Sequence, residues 1–591
     1  MKRLFLALLL VIMAFPVTAQ DDNLDCDSVL EIWQIQGAGD DANCMRTRIR
    51  TEENIVTSIG PNGFFIQTPI ARSDNDLYTS DGIYVTTRQP AYTWGLQVGD
   101  LITIDGGRVN DAYGTTVLDV ANPSQVEILS SGNELPEALD LSTVDVTDYG
   151  SAAHPMERYE GMLVKLDNAV VAAPTNHFDE FGVTINNTRS YREAGIEPDA
   201  TPQFAGLGLP EWDLNPELLE VAPVEMGFDV IQLTPGAVVN IVGNIAYNYN
   251  DYQIFPSLVD ILEESPFAVR PVREREEGEF TIATQNMENF FDIVDDPNRD
   301  DGRFEDYVPL DEEEYAIRLG KLTEQVRFAL GAPDILAVQE IENARVLTDL
   351  ILSLNAADPT LRYTSCFLEG NEGRGIDVAY LIRVDRINML DCYRMEDTKT
   401  AVLRGSDVLF SRPPLVLEAE IILEDGGSFP LTLVNLHIKS LSGIDTEPTQ
   451  VRRLMQAIRV AEYVQTRIDD NLIVLGDMNG FQFTDGIVDV VGVIQGEGGE
   501  AYRMPESDPL EPNLISQLDR VPQDERYSYV YNSSYQVLDH ALATPVMDGF
   551  ITDAMFSRGN ADALSPWHLD PTVGAARSSD HDGFVIYFRP E

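Results

Sequence analysis

Six stretches of this 591-residue chain join an apolar run to a side chain able to hold a metal ion or move a proton. Asn286 follows Thr281-Ile282-Ala283-Thr284-Gln285, Glu340 follows Ile335-Leu336-Ala337-Val338-Gln339, and His437 follows Val434-Asn435-Leu436. Asp477 and Asn479 stand in Leu475-Gly476-Asp477-Met478-Asn479, Asp539-His540 follows Val537-Leu538, and Asp580-His581 precedes Gly583-Phe584-Val585-Ile586-Tyr587-Phe588. One Asp or His at a strand end is ordinarily a turn former or cap. A set of carboxylates, carboxamides and imidazoles at strand ends is more telling, because loops on a rigid sheet edge carry function. Oxygen ligands suit a hard divalent cation, and an imidazole beside a carboxylate suits proton transfer near neutral pH.

The segments that must position these residues lie in the second half of the chain. Strand-like runs at Phe280 to Gln285, Ile335 to Gln339, Val378 to Ile382, Leu431 to Leu436 and Leu472 to Leu475 alternate with amphipathic helical patterns. The clearest helix follows Pro448, with Val451, Leu454, Met455, Ile458, Ala461 and Val464 as its apolar stripe. Residues 280–591 are therefore expected to form one layered α/β sandwich domain. From Leu30 to about Pro266 the text is instead all β, in short runs broken by Gly, Pro, Asn and Asp. Within it Leu96-Gln97-Val98-Gly99-Asp100-Leu101-Ile102-Thr103-Ile104-Asp105-Gly106 recurs as Leu233-Thr234-Pro235-Gly236-Ala237-Val238-Val239-Asn240-Ile241-Val242-Gly243. Such a repeat predicts two related β-modules, at 20–130 and 131–265, each a small barrel. A charged, turn-rich stretch, 266–279, reads as the linker.

Residues 1–19 have the form of a secretory signal peptide: Lys2 and Arg3, an apolar run from Leu4 to Phe15, then Val17-Thr18-Ala19. No later stretch is apolar enough to span a membrane as a helix, so a secreted or periplasmic location is expected. In such a compartment the four cysteines are expected to pair locally, Cys26 with Cys44 and Cys366 with Cys392, with four unpaired thiols as the alternative. The net charge is −58, with five lysines in the whole chain. That field repels polyanions at low salt, while salt at physiological strength screens it over roughly 8 Å. It is read here as a surface suited to salty surroundings, and it leaves the substrate open.

Residues 278 to 591 resemble the endonuclease/exonuclease/phosphatase superfamily, on the motifs Thr284-Gln285-Asn286, Gln339-Glu340, Asn435-Leu436-His437, Gly476-Asp477-Met478-Asn479 and Ser579-Asp580-His581. Asn286-Met287-Glu288-Asn289-Phe290-Phe291-Asp292 and Arg577-Ser578-Ser579-Asp580-His581-Asp582 are similar to stretches of large secreted bacterial nucleases, in which OB-fold-like modules precede the catalytic domain. The resemblance implies a four-layer, deoxyribonuclease-like sandwich behind OB-like modules. It implies Glu340 and Asn286 as ligands of Mg2+ or Mn2+, or of Ca2+, and His581 with Asp539 as the general base. His437 becomes general acid or phosphate contact. Asp477 and Asn479 orient the nucleophile or hold a second metal, and Asp580 completes the polar shell. Arg374, in the glycine-loosened loop Glu369 to Asp377, is either a phosphate contact or part of a hydrophilic hairpin, with Glu369 or Glu372 as a partner for His437. His540 is left unassigned, and His568, His154 and His177 are expected in surface or packing roles.

The activity so implied is metal-dependent hydrolysis of phosphodiesters outside the cell, with DNA ahead of RNA as substrate. A phosphodiesterase acting on lipid head groups or phosphorylated sugars, and a non-catalytic matrix-binding protein, are the competing readings. Oligomeric state has no signature in the sequence.

Overall fold

The computed structural model describes residues 24–112, 114–197, 204, 206–248, 251–294, 308–395 and 408–590. The expected signal peptide lies outside the described residues. Among them no helix is long and apolar enough to cross a membrane. Both cysteine pairs are disulfides, Cys26–Cys44 and Cys366–Cys392.

The chain forms two compact units, one of Met1–Ala169, Leu219–Ile231 and Val238–Glu263, the other of Val170–Leu218, Gln232–Ala237 and Glu264–Glu591. In the first, the strand Leu101–Ala112 pairs with Asn54–Ile59 on one side and Thr115–Val120 on another. Asn54–Ile59 pairs with Gly63–Gln67, that strand with Gly82–Thr87, and Gly82–Thr87 returns to Thr115–Val120. Five strands thus close into a ring around Val56, Phe64, Ile66, Ile83, Val85, Ile102 and Leu118. The sequence repeat is a structural one. Leu101–Ala112 pairs antiparallel with Val126–Ser130, and its counterpart Val238–Asn248 pairs antiparallel with Asp251–Glu263. The matched Gly99 and Gly236 both take left-handed backbone, φ 87° and 95°, a conformation that favours glycine.

The second unit holds two six-stranded sheets. One runs Tyr363–Phe367, Asp377–Arg383, Ile335–Ile341, Phe280–Phe290, Phe584–Phe588, Ile551–Phe556, and the other Ile387–Arg394, Leu415–Ile422, Ser428–His437, Leu472–Asp477, Asp539–Ala543, Ile515–Ser516. Their central strands are buried on both faces, so successive residues enter different cores. Ile282, Ala337, Leu433, Ile473 and Ala541 share one core drawn from both sheets. The neighbouring Ala283, Leu336 and Val338 pack with Leu322, Leu347 and Leu350 of the helices Glu312–Glu324 and Ala344–Ala357. Val434, Val474 and Leu542 pack with Ala457, Val460 and Val464 of the helix Glu447–Gln465. Residues 170–218, expected in the second β-module, group with this unit: Tyr535 Oη donates to Ala172 O at 2.8 Å and Arg189 Nη2 lies 3.2 Å from Asp562 Oδ2.

The helix Glu447–Gln465 bears out most of the expected apolar stripe: Ala461 and Val464 are buried, and Leu454, Met455 and Ile458 pack against the same core. Its buried face is Gln450, Arg453, Gln456, Ala457, Val460, Ala461 and Val464, while Val451, Leu454, Met455 and Ile458 are only half-buried. The polar members of that face are tied to backbone: Gln456 Nε2 donates to Leu409 O (3.0 Å) while Gln456 Oε1 accepts from Lys439 N (3.1 Å), and Gln450 Nε2 donates to Ile444 O (2.9 Å). These bonds satisfy the polar groups that the buried face carries.

The two sheets are also joined by a buried polar bridge. Asn435 Nδ2 donates to Val338 O (3.1 Å) and Ala379 O (2.9 Å) in the other sheet, and Asn435 Oδ1 accepts from Gln339 Nε2 (2.7 Å). Asn435 and Gln339 are fully buried, so no water replaces a bond that is lost. Asn435→Ala should lower stability by about 2 kcal/mol, seen as a lower urea midpoint at unchanged slope; an unmoved midpoint would make the bridge incidental.

Candidate active site

Parallel pairing places His437 beside Asp477, and antiparallel pairing places Asp477 beside Asp539. Three strands therefore present one row of polar side chains at the same edge. In the facing sheet Asn286 lies beside Gln339, one residue before Glu340. Glu340 sits at a break in strand register with φ 61°, which turns its carboxylate out of the ladder. The two rows meet: Asn286 Nδ2 donates to Asp477 Oδ2 at 3.1 Å, and His437 Nε2 is 3.5 Å from that oxygen and 3.7 Å from Glu340 Oε1.

Asp580 and His581 arrive from the last loop, because the strand Phe584–Phe588 that follows it pairs with Phe280–Phe290. His581 Nδ1 donates to Asp539 Oδ2 at 2.7 Å, and its Nε2 is 4.0 Å from Asp580 Oδ1. The ring packs on Tyr529, centroids 4.8 Å apart. The His581 carbonyl accepts from Gln285 Nε2 (2.9 Å) and Asn560 Nδ2 (2.8 Å). Burial opposes charge on His581, but Asp539, Asp580 and Asp477 outweigh it and hold the imidazole well above the usual histidine range. His437 goes the other way: burial, reinforced by Arg412, Arg374 and His581, holds it well below that range, so it is neutral.

Asp477 is raised to about 7 by burial, with Asp539 and Glu340 adding to the rise and His581 opposing it. Asp580 is raised to about 6 by burial and by Glu288, with Glu340 adding and His581 and Arg577 opposing. The site thus carries crowded negative charge around Glu340. Among the described residues no three His, Cys, Asp or Glu side chains enclose a metal by themselves. The Glu340 carboxylate and the Asn286 amide oxygen are the oxygen donors that a hard cation such as Mg2+ takes, and they would hold one here together with waters and substrate oxygens.

Asn479 is fixed beside this row: its N donates to Asp477 Oδ1 (2.8 Å) and its Nδ2 to Ile438 O (3.2 Å). Arg374 lies with Nε 3.6 Å from Glu372 Oε1, and its charge bears on His437. His437 Nε2 faces the carboxylates of Glu340 and Asp477. His540 belongs to the opposite side of its strand, 2.7 Å from Gly480 O. His568 meets Ser565 O at 2.9 Å, His154 stacks on Tyr252 and His177 on Phe178. Three residues near the site went unread in the sequence: Arg412, buried, donating to Ile438 O at 3.1 Å and feeling the charge of Glu340; Tyr529; and Arg318. Each stands in a stretch without a chemical pattern of its own.

Residues 281–544 match the model of the Endonuclease/Exonuclease/phosphatase family. This segment belongs to that family. Its members hydrolyse phosphodiesters and phosphate esters. The match ends before Asp580 and His581, which the fold alone returns to the site. Residues 141–264 match a domain of unknown function. No curated protein matches the chain. Similar solved structures include an endonuclease/exonuclease/phosphatase family protein from Bacteroides thetaiotaomicron (14% identity over 52% of this chain and 97% of that one, TM-score 0.33). The human Nocturnin catalytic domain with bound sulfate (15%, 54% and 96%, TM-score 0.32) and D. rerio TDP2 complexed with a single-strand DNA product (14%, 53% and 100%, TM-score 0.33) are others.

An imidazole held as His581 is must lose a proton before it can act as a base. The carboxylates around it favour the protonated form, so the acid limb of kcat/KM should lie above pH 6.5, the ordinary histidine value of about 6.5. Asp539→Asn withdraws part of that stabilisation: the limb should move to lower pH while the plateau falls by roughly 100-fold or more. An unmoved limb in a pH–rate profile would separate Asp539 from the titrating group.

Proposed function

We propose that this chain is a secreted, divalent-cation-dependent nuclease that hydrolyses phosphodiester bonds in DNA outside the cell. The observation that carries the reading is the buried His581–Asp539 pair, 2.7 Å apart, set across from Glu340, Asn286 and His437. A base and a cation site on facing sheets suit an in-line displacement at phosphorus. Two apolar sheets with helices packed outside each support the four-layer sandwich, and the closed five-stranded ring supports an OB-like first module. The leader-like first residues support export.

Glu340 and Asn286 would hold Mg2+ or Mn2+, or Ca2+. The cation offsets the charge that develops on the phosphate oxygens. His581 takes the proton of the attacking water, and Asp539 holds the ring so that Nε2 faces the substrate. His437, being neutral, offers Nε2–H to a phosphate oxygen, which favours the phosphate contact over the role of general acid. Asp477 and Asn479 hold the amide of Asn286 and the loop beside it, Asp580 adds a carboxylate on the His581 side, and Arg374 forks toward a phosphate oxygen.

The test is hydrolysis of plasmid DNA, RNA and sphingomyelin by the whole protein, with Mg2+, Mn2+, Ca2+ or EDTA, at several salt concentrations. Plasmid nicking should require the cation, vanish in EDTA and fall by roughly 1,000-fold or more in His581→Ala, and it should persist as salt rises. Cleavage of sphingomyelin with nucleic acids untouched would overturn the choice of substrate. Inertness toward all three would overturn the hydrolytic reading.

A further inference from the structure

Behind the site lies an ion triad. Arg577 Nη1 and Nη2 grip Glu288 Oε2 and Oε1 at 2.5 and 2.7 Å. Arg318 reaches the same segment from the helix Glu312–Glu324: Nη2 donates to Met287 O (3.1 Å) and Glu288 O (2.9 Å), Nη1 donates to Ser578 O (3.1 Å), and Nη1 lies 3.8 Å from Glu288 Oε2. Glu288 and Asn289 both hold left-handed backbone, φ 48° and 46°, and so does Arg577, φ 55°, a conformation rare for side-chain-bearing residues and kept only where the surroundings enforce it.

That backbone aims two amides at the candidate ligands. Glu288 N donates to Asn286 Oδ1 at 2.9 Å, and Asn289 N donates to Glu340 Oε2 at 2.8 Å. On the other side Arg577 and Ser578 run directly into Ser579-Asp580-His581, and Ser579 Oγ donates to Asn286 O at 2.7 Å. One triad, with Arg318 buried and Glu288 and Arg577 largely so, therefore touches both halves of the site, the candidate cation ligands and the loop bearing the base.

We propose that Glu288, clamped by Arg577 and Arg318, is a positioning residue that sets the Glu340 carboxylate and the Asn286 amide for a divalent cation without itself touching cation or substrate. The proposal rests on the reading of Glu340 and Asn286 as cation ligands. A carboxylate gripped by a guanidinium fork has a fixed place, and the amides that follow it in the chain inherit that place. Partners of this kind orient ligands and tune metal affinity although they lie outside the coordination shell.

The test uses the whole protein and reads cation binding apart from activity. Mn2+ affinity is measured by calorimetry without substrate, and then the Mn2+ dependence of bis(p-nitrophenyl) phosphate and plasmid hydrolysis. Glu288→Gln keeps the shape and removes the charge; it should weaken Mn2+ binding roughly tenfold or more and raise the half-saturating Mn2+ by the same factor, while kcat at saturating Mn2+ changes much less. Glu288→Asp should recover part of the affinity. Should Glu288→Gln fail to fold, Arg577→Lys, which loses the fork, carries the same expectation. A lower Tm with unchanged Mn2+ affinity would overturn the proposal in favour of plain packing, as would a wild-type protein that binds no Mn2+. Weakened Mn2+ binding in proteins that hydrolyse neither substrate would sustain the positioning role and overturn the hydrolase reading. Hydrolysis by the wild type with variant affinities unaltered would do the reverse.

Discussion

The second unit depends on the spacing of its two sheets, and Asn435 bridges them beside the candidate site. Its side chain bonds Val338 O, Ala379 O and Gln339 Nε2 across the core. One residue after Gln339 comes Glu340, and two residues after Asn435 comes His437. A slip between the sheets would leave fully buried polar atoms unpaired, a cost large beside the few kcal/mol that separate folded from unfolded protein. Apolar packing alone has no such preference, because Leu and Ile side chains tolerate small shifts. The polar bridge supplies direction.

Around that fixed gap the site is built from opposed electrostatic environments. His581 is buried among carboxylates and holds its proton, whereas His437 is buried beside arginines and gives it up. Two imidazoles of the same chemistry are thereby divided into a proton acceptor with high affinity and a neutral donor. Burial pushes Asp477 and Asp580 up, and the nearby Glu340 adds to both rises. The net charge of −58 sets the larger field. Arg374, Arg412, Arg318 and Arg577 nonetheless gather near the site, so local charge departs from the global balance.

The chain itself determined a good deal. The positions of Asn286, Glu340, His437, Asp477 and Asp539 at strand ends were legible, because each follows an apolar run and the strand period is a local property. The repeat and the disulfide pairs were legible for the same reason: composition and spacing act over short range. Tertiary structure decided the rest. The buried glutamines of Glu447–Gln465, Gln456 and Gln450, find their partners in Leu409, Lys439 and Ile444, residues outside the helix. Arg412 and Tyr529 acquire meaning only because folding brings Glu340 and His581 to them. Glu288 and Arg577 stand 289 residues apart, in motifs that could be seen, but their pairing could not. Residue type and period are written along the chain, whereas the meeting of a lone pair with a donor depends on strand register and sheet spacing, which exist only once the whole core has formed.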